Sequence, residues 1–316
     1  MTFERIHVIV NPASGQPEPI LPIINPALHE SGVDWSVSVT TQHNAAADLA
    51  RAAAEDGADV VVAYGGDGTV KSVVNGLMGT DTPLAILHGG TGNALACELG
   101  IPTSLDDAIR LVTGDHARRK IDVGEAVCED APEKTGYFLL RSSMGLQNRI
   151  LAEATSDLKR NFGNFAYLMA GLRSLAESDS INFRLIIDDG DPIDVEGVSC
   201  MVTNSATVGG SANFVFAPQV TPDDGEFDVF VLDTRFDAVT AMINSSLEAD
   251  LDNYPNHWRG QKIRVEIDGP STVTLDGEDF GRAPVDIRVM PQAVEVIVPP
   301  SANTDKSTDA IIDVGV

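Results

Sequence analysis

Three short apolar runs each lead straight into a glycine-containing turn. IHVIV (6–10) precedes NPASG (11–15), ADVVVAY (58–64) precedes GGDGT (65–69), and PLAILHG (83–89) runs into GGTGN (89–93). Runs of this length and branching read as strands buried on both faces. Helical stretches lie between them. Residues 20–31 read as a helix despite their prolines, AAADLARAAAEDG (45–57) is rich in strong helix formers and ends at Gly57, and Val70 to Leu77 reads as a short helix. WSVSVT (35–40) alternates with period two and adds a strand. Strands alternating with helices predict a parallel sheet covered by helices. The three turns then fall at the carboxyl ends of neighbouring strands, where open α/β sheets bind ligands.

The pattern changes near residue 125. YFLLRSS, NFRLIID, VSCMVTN, FDVFVLD, IRVEI, TVTLDGE, VDIRVM and AVEVIV follow one another closely, with Gly, Asp and Pro in their turns. This predicts a second, mostly antiparallel β-sandwich. Residues 148–178 interrupt it with helix, where Phe165, Leu168, Met169, Leu172 and Leu175 share one apolar face. The length of 316 residues fits two such domains. The expected division is residues 1–125 with returning strands at about 285–300, then residues 126–284, and a fraying tail over 301–316.

Composition narrows the function. A net charge of −26 argues against nucleic acid as a partner and against broad adhesion to anionic membranes. From Arg141 to Arg184 the trend reverses, with Arg141, Arg149, Lys159, Arg160, Arg173 and Arg184 against Glu153, Asp157, Glu177 and Asp179. That segment either turns towards anions or is a solvated helix face. No stretch approaches the ~18–20 apolar residues of a membrane span, and the N-terminus has no leader pattern, so the chain reads as cytoplasmic. Cys97, Cys128 and Cys200 form no CxxC pair and read as reduced, buried thiols.

GGDGT is neither a Walker loop nor a GxGxxG fingerprint. Glycines admit close backbone approach and positive φ, and exposed N–H groups at helix starts attract phosphate. Three such turns at one sheet edge point to a phosphate-bearing ligand.

At this point the chain resembles the diacylglycerol kinase catalytic family, which includes soluble bacterial lipid kinases and the sphingosine and ceramide kinases. The resemblance rests on NPASG, GGDGTVKSVVNGL, GTGN…LGIP, DDGEFDV and LDGEDFG in that order, and spans roughly residues 5–299. It implies an N-terminal α/β nucleotide domain resembling that of NAD kinases, a C-terminal β-sandwich, and ATP-dependent phosphorylation of a lipid hydroxyl, diacylglycerol before other acceptors. It matches Asn11, Ser14, Gly15, Thr40, Gly65, Gly66, Asp67, Gly68, Thr69, Thr91, Gly92 and Asn93 to positions that hold ATP, with Thr41 standing beside Thr40. Asp67 would either hold Mg²⁺ against the triphosphate or fix its own loop. Glu278 matches the general base, Asp276 is its backup if the strand persists to share a face, and Asp122 matches a second catalytic carboxylate. Asp224, with the carbonyls of Thr221 and Glu226, matches a structural Mg²⁺ site.

Two positions depart from the family pattern. Ala94 stands where many soluble members have an Asp that links to that Mg²⁺, and His88 and Gly89 replace a common Pro-Leu. His88 reads as a hydrogen-bonded structural histidine. The implied partners are ATP, a lipid alcohol, a transient peripheral contact at the inner face of the membrane, and a homodimer as a further option. The competing readings are an NAD-kinase-like enzyme and a non-catalytic ATP-binding regulator of lipid metabolism.

Overall fold

The structure is a computed structural model that describes residues 3–14, 19–42, 45–90, 92–145, 180–206, 219–232, 256–269 and 271–300. The expected helix over 148–178, the tail over 301–316, Gly15 and Thr91 therefore lie outside the described residues.

The first half is β1 (Arg5–Val10), α1 (Ile20–Ser31), β2 (Asp34–Val39), α2 (Ala45–Glu55), β3 (Val60–Gly65), α3 (Asp67–Leu77), β4 (Leu84–His88), α4 (Ala94–Glu98) and α5 (Leu105–Thr113). The strands pair in parallel in the order β2-β1-β3-β4. β3 is buried at every position, as its unbroken VVVAY run requires. α1 keeps its helix through Pro26 because Ile20, Ile24, Ala27 and Leu28 bury one face, and Gly32 closes it at φ +72°. α5 went unread in the sequence, although Ser104 supplies its cap by accepting from the Asp107 amide at 3.4 Å.

Next come β5 (Ala117–Cys128), β6 (Thr135–Phe138), β7 (Arg141–Gly145), β8 (Ile181–Ile187), β9 (Ile193–Gly197), β10 (Ser199–Thr203), β11 (Phe227–Leu232), β12 (His257–Gly260), β13 (Lys262–Ile267), β14 (Thr272–Leu275), β15 (Glu278–Arg282) and β16 (Val285–Val298). One antiparallel sheet has the order β12-β11-β10-β7-β14-β15. It faces β13, β8 and β9, which extend the first sheet beyond β16. The expected N-terminal α/β layer and C-terminal antiparallel sandwich are both present.

The two layers are joined by a ribbon of β5 and β16. Ala117–Ile121 pairs with Val294–Val298 beside the parallel strands, and Val123–Cys128 pairs with Val285–Met290 inside the sandwich. The same two strands thus contribute Ile121 and Val296 to one apolar core and Ala126 and Ile287 to the other. VDIRVM and AVEVIV, read as two strands, are one strand with a register shift between Met290 and Val294. YFLLRSS, read as one strand, is split between β6 and β7, which belong to different sheets. Among the described residues no helix is long and apolar enough to cross a membrane.

Candidate active site

The GGDGT and GGTGN turns are packed onto each other. A Cβ placed on Gly90 would meet the Gly66 Cα at 2.5 Å, one on Gly89 would meet the Gly65 nitrogen at 2.8 Å, and one on Gly65 would meet the Thr69 side chain at 2.4 Å. None of Gly65, Gly66, Gly68, Gly89 and Gly90 has positive φ, contrary to the expectation from their residue type. Here glycine provides room for two backbones to touch. Gly66 is the extended N-cap of α3, so Asp67 opens the helix. Asp67 Oδ1 accepts one long hydrogen bond, 3.4 Å, from the Leu95 amide. Asn93, at φ +53°, uses both ends of its carboxamide on Gly90, accepting at 3.0 Å and donating at 2.7 Å. Its amide therefore closes the turn, a role the ATP assignment had not included.

The first glycine turn joins this floor. Asn11 donates from Nδ2 to Thr69 Oγ1 at 2.9 Å and accepts from the Ala13 amide at 3.0 Å, while Ser14 Oγ donates to the Asn11 carbonyl at 2.8 Å. With its oxygen accepting from Asn11, Thr69 keeps its own proton to donate.

The far wall comes from the sandwich. Asp276 and Gly277 have φ +52° and +86°, the two left-handed positions of a tight hairpin turn between β14 and β15. The turn places Glu278 at the start of β15, 52% exposed. It projects onto the first turn of α3, where a Cβ on Gly68 would lie 3.5 Å from Glu278 Oε1. Lys71, 13% exposed, is ion-paired with Glu278 and donates to the Leu275 carbonyl at 3.3 Å. Between these walls is an open cavity of about 780 Å³. Of the residues matched to ATP, Asn11, Ser14, Thr40, Gly66, Gly68 and Thr69 line it, and Thr41 does so beside Thr40. The size suits a nucleotide.

Two other carboxylates of the predicted site are held by backbone amides. Asp276 does not share the face of Glu278, because the strand ends at Leu275. Its two oxygens accept from the amides of Leu139, Leu140 and Arg141 at 2.9, 2.9 and 3.0 Å. That contact also explains the break in YFLLRSS. Burial pushes the Asp276 carboxyl up despite these donors. Asp122 lies in mid-strand, fully buried, and is not among the cavity residues. It accepts from the amides of Gly225 and Gln292, both at 2.7 Å. Burial raises its pKa, with Asp224 and Asp223 adding to the rise. These contacts tie the 221–226 turn and the β16 bulge to β5.

The 221–226 turn is closed by cations of the chain itself. Asp223 takes a two-pronged contact from Arg119 at 2.7 Å on each oxygen. Asp224 pairs with Arg259 at 2.5 Å and accepts from the Glu226 amide at 3.1 Å, and Arg259 also reaches Glu226 at 3.2 Å. A guanidinium thus engages the Asp224 carboxylate, the side chain matched to the metal, and the Glu226 contact is with its carboxylate rather than with the carbonyl of the expected set. Of the donor set matched to the structural Mg²⁺, the Asp224 carboxylate is therefore already paired within the chain.

Sequence reasoning missed Lys71, Ser72 and Asn75, which line the same cavity. The signal was available, since Asp67, Lys71 and Asn75 follow one another at four-residue spacing along α3. The Ser72 hydroxyl and the Asn75 carboxamide oxygen have no hydrogen-bond partner among the described residues. Arg141, which opens the basic segment noted in the sequence, is not among the cavity residues. Burial pulls its guanidinium down, while Asp276, Asp67 and Glu98 act in the opposite sense. His88 binds the Ile101 carbonyl at 3.1 Å, as a structural histidine should. All three cysteines are free, and burial pushes Cys128 and Cys200 up to about 11 and about 12.

Both halves of the chain are similar to known proteins. Residues 5–126 match the diacylglycerol kinase catalytic domain, and residues 142–298 match the YegS C-terminal NAD kinase beta sandwich-like domain. The chain is 27% identical to the diacylglycerol kinase of Bacillus subtilis over 94% of its own length and 97% of that protein. It is 26% identical to the diacylglycerol kinase of Staphylococcus saprophyticus, over 94% and 96%. The crystal structure of a diacylglycerol kinase from Bacillus anthracis superposes with a TM-score of 0.77 at 27% identity, covering 95% of this chain and 99% of that one. With two glycine turns packed into a cavity floor, a carboxylate facing them from a sandwich hairpin, and both halves matched in order, the chain belongs to the diacylglycerol kinase catalytic-domain family, a family of kinases.

Proposed function

We propose that this chain is an ATP-dependent lipid kinase that transfers the γ-phosphate to a lipid hydroxyl, with diacylglycerol as the first acceptor and phosphatidic acid as its product. The observation that carries the reading is the position of Glu278, on the cavity wall beside Gly68 and opposite the phosphate-type turn. Residues 1–125 with the returning end of β16 would bind the nucleotide, and residues 126–284 would present the lipid.

In this reading Gly66, Gly68 and Thr69 receive the phosphates through backbone N–H groups and one hydroxyl. Thr40 and Thr41 line the same cavity and would meet the rest of the nucleotide. Glu278 takes the proton of the lipid hydroxyl as its oxygen attacks the γ-phosphorus, and the bond to the β-phosphate breaks. The Mg²⁺ that accompanies ATP would neutralise phosphate charge, and Asp67, between the cavity residues Gly66 and Gly68 but not itself among the cavity lining, would be the carboxylate to hold it. The protein would work in the cytoplasm with a transient contact at the inner face of the membrane, as a monomer or homodimer.

The test is a γ-phosphate transfer assay with the full chain, labelled ATP and a panel of lipids in mixed micelles, products identified by mass. Diacylglycerol should yield labelled phosphatidic acid. Transfer to NAD, or ATP binding with no labelled lipid from any acceptor, would overturn the reading.

A further inference from the structure

Among the described residues that line the cavity, Lys71 is the one cation and Glu278 the one anion, and they are bound to each other. The chain carries a net charge of −26, so a nucleotide triphosphate entering here meets a site with a single positive side chain already in use. Lys71 sits on the second turn of α3, three residues beyond Gly68. Its stem is buried and its ammonium reaches Glu278 and the Leu275 carbonyl, both on the hairpin of the opposite wall. GGDGT lacks the lysine of a Walker loop, and Lys71 brings an ammonium to the same turn from the following helical turn.

We propose that Lys71 is a positioning residue with two alternative partners: it holds Glu278 when the cavity is empty, and the γ-phosphate of a bound nucleotide draws it away, leaving Glu278 able to accept the proton of the acceptor alcohol. The proposal rests on the kinase reading given above. Its physical basis is a competition for one ammonium. A terminal phosphate carries more charge and more acceptor oxygens than a carboxylate, so it is the stronger partner for the same cation. A lysine suits the exchange, because a compact charge on a four-carbon stem can swing between acceptors. The chemical step stays balanced. The acceptor O–H proton moves to Glu278, the acceptor oxygen bonds to the γ-phosphorus, and the bridging oxygen leaves with its electron pair on ADP. Lys71 neither gains nor loses a proton. The coupling would keep the base engaged until a phosphoryl donor is present.

A lysine that merely ties the hairpin to α3 would predict a different thermodynamic pattern, and a double-mutant cycle on ATP binding without any lipid separates the two. ATP affinity is measured by calorimetry on the full chain and on Lys71→Met, Glu278→Gln and the double variant, each first checked for an unchanged melting temperature. Lys71→Met should weaken ATP binding about 10-fold or more, the scale of one hydrogen bond to a charged group. ADP, which lacks the γ-phosphate, should lose clearly less. Glu278→Gln should tighten ATP binding by releasing Lys71, and that gain should vanish in the double variant. Lys71→Arg should restore part of the affinity. Unchanged ATP affinity in Lys71→Met, equal losses for ATP and ADP, or a Glu278→Gln variant that binds ATP no more tightly than wild type would each overturn the proposal. The assay contains no acceptor, so it separates this inference from the lipid reading. A cycle that behaves as expected beside a failed lipid panel would keep the Lys71 exchange and remove the lipid. Absence of ATP binding by the wild-type chain would overturn both.

Discussion

Gly66-Asp67-Gly68-Thr69 and Asp223-Asp224-Gly225-Glu226 use the same short vocabulary, and sequence reading assigned a ligand to each. Their surroundings differ. At the first turn the acidic side chain meets one amide at 3.4 Å, the neighbouring glycines are packed against another glycine turn, and a cavity opens in front. At the second turn Arg119 and Arg259 neutralise both aspartates, and the buried Asp122 accepts from the Gly225 amide. An Asp-Gly turn becomes a site where its donors and charges are left for an incoming molecule. Where the chain supplies those partners itself, the turn becomes a joint.

Experiments on each side can break this contrast. The largest effect is expected at the cavity: Glu278→Gln should lower phosphate transfer about 10²- to 10⁴-fold, the range of a lost general base, as read from initial rates with saturating ATP. A variant within threefold of wild type would remove Glu278 from the chemistry. At the joint, Asp122→Ala leaves two buried amides without their acceptor and should cost about 3 kcal/mol in urea unfolding, with ATP affinity retained in the folded fraction. A stable Asp122→Ala protein with no transfer would instead return Asp122 to a catalytic role. Arg259→Met should cost under about 1 kcal/mol, because the pair is partly solvated. A gain of Mg²⁺-dependent stability in that variant would show the turn to be a latent metal site.

The smallest effect concerns pH. Burial lowers the pKa of His7, His88 and His116 below the ordinary 6.5. The unfolded chain then takes up more protons, so this contribution to stability is present above 6.5 and is lost as pH falls below it. Asp122 has the opposite sign. Burial raises it above its ordinary 3.8, so the folded state takes up the proton first and stability from this group rises as pH falls towards that value. Replacing His88 with Gln should therefore reduce the loss of melting temperature between pH 7.5 and 5.5 relative to wild type, measured by differential scanning calorimetry.

The parallel strands, the helices between them and the crowd of later strands were readable because each is written locally, in branched runs, helix formers and glycine stops. Glu278 was named through the resemblance of LDGED to the family motif, and the hairpin that positions it was missed, since TVTLDGE read as one strand. Asp276-Gly277 is a two-residue hairpin signal, and the residue after it must stand at a strand edge. Asp122 shows where local reading ends. Its surrounding sequence says only that it lies near strand, and its role came from amides at positions 225 and 292.

By itself the sequence determined the order of turns, the two halves and their family, since apolar periodicity and turn chemistry act over a few residues. Only the tertiary structure decided which charges meet. Lys71 and Glu278 are 207 positions apart and Asp224 and Arg259 are 35 apart. No local rule selects such a partner. It is chosen by the β5–β16 ribbon, which sets the sandwich hairpin against the first turn of α3 and so makes one acidic turn a cavity wall and the other a closed joint.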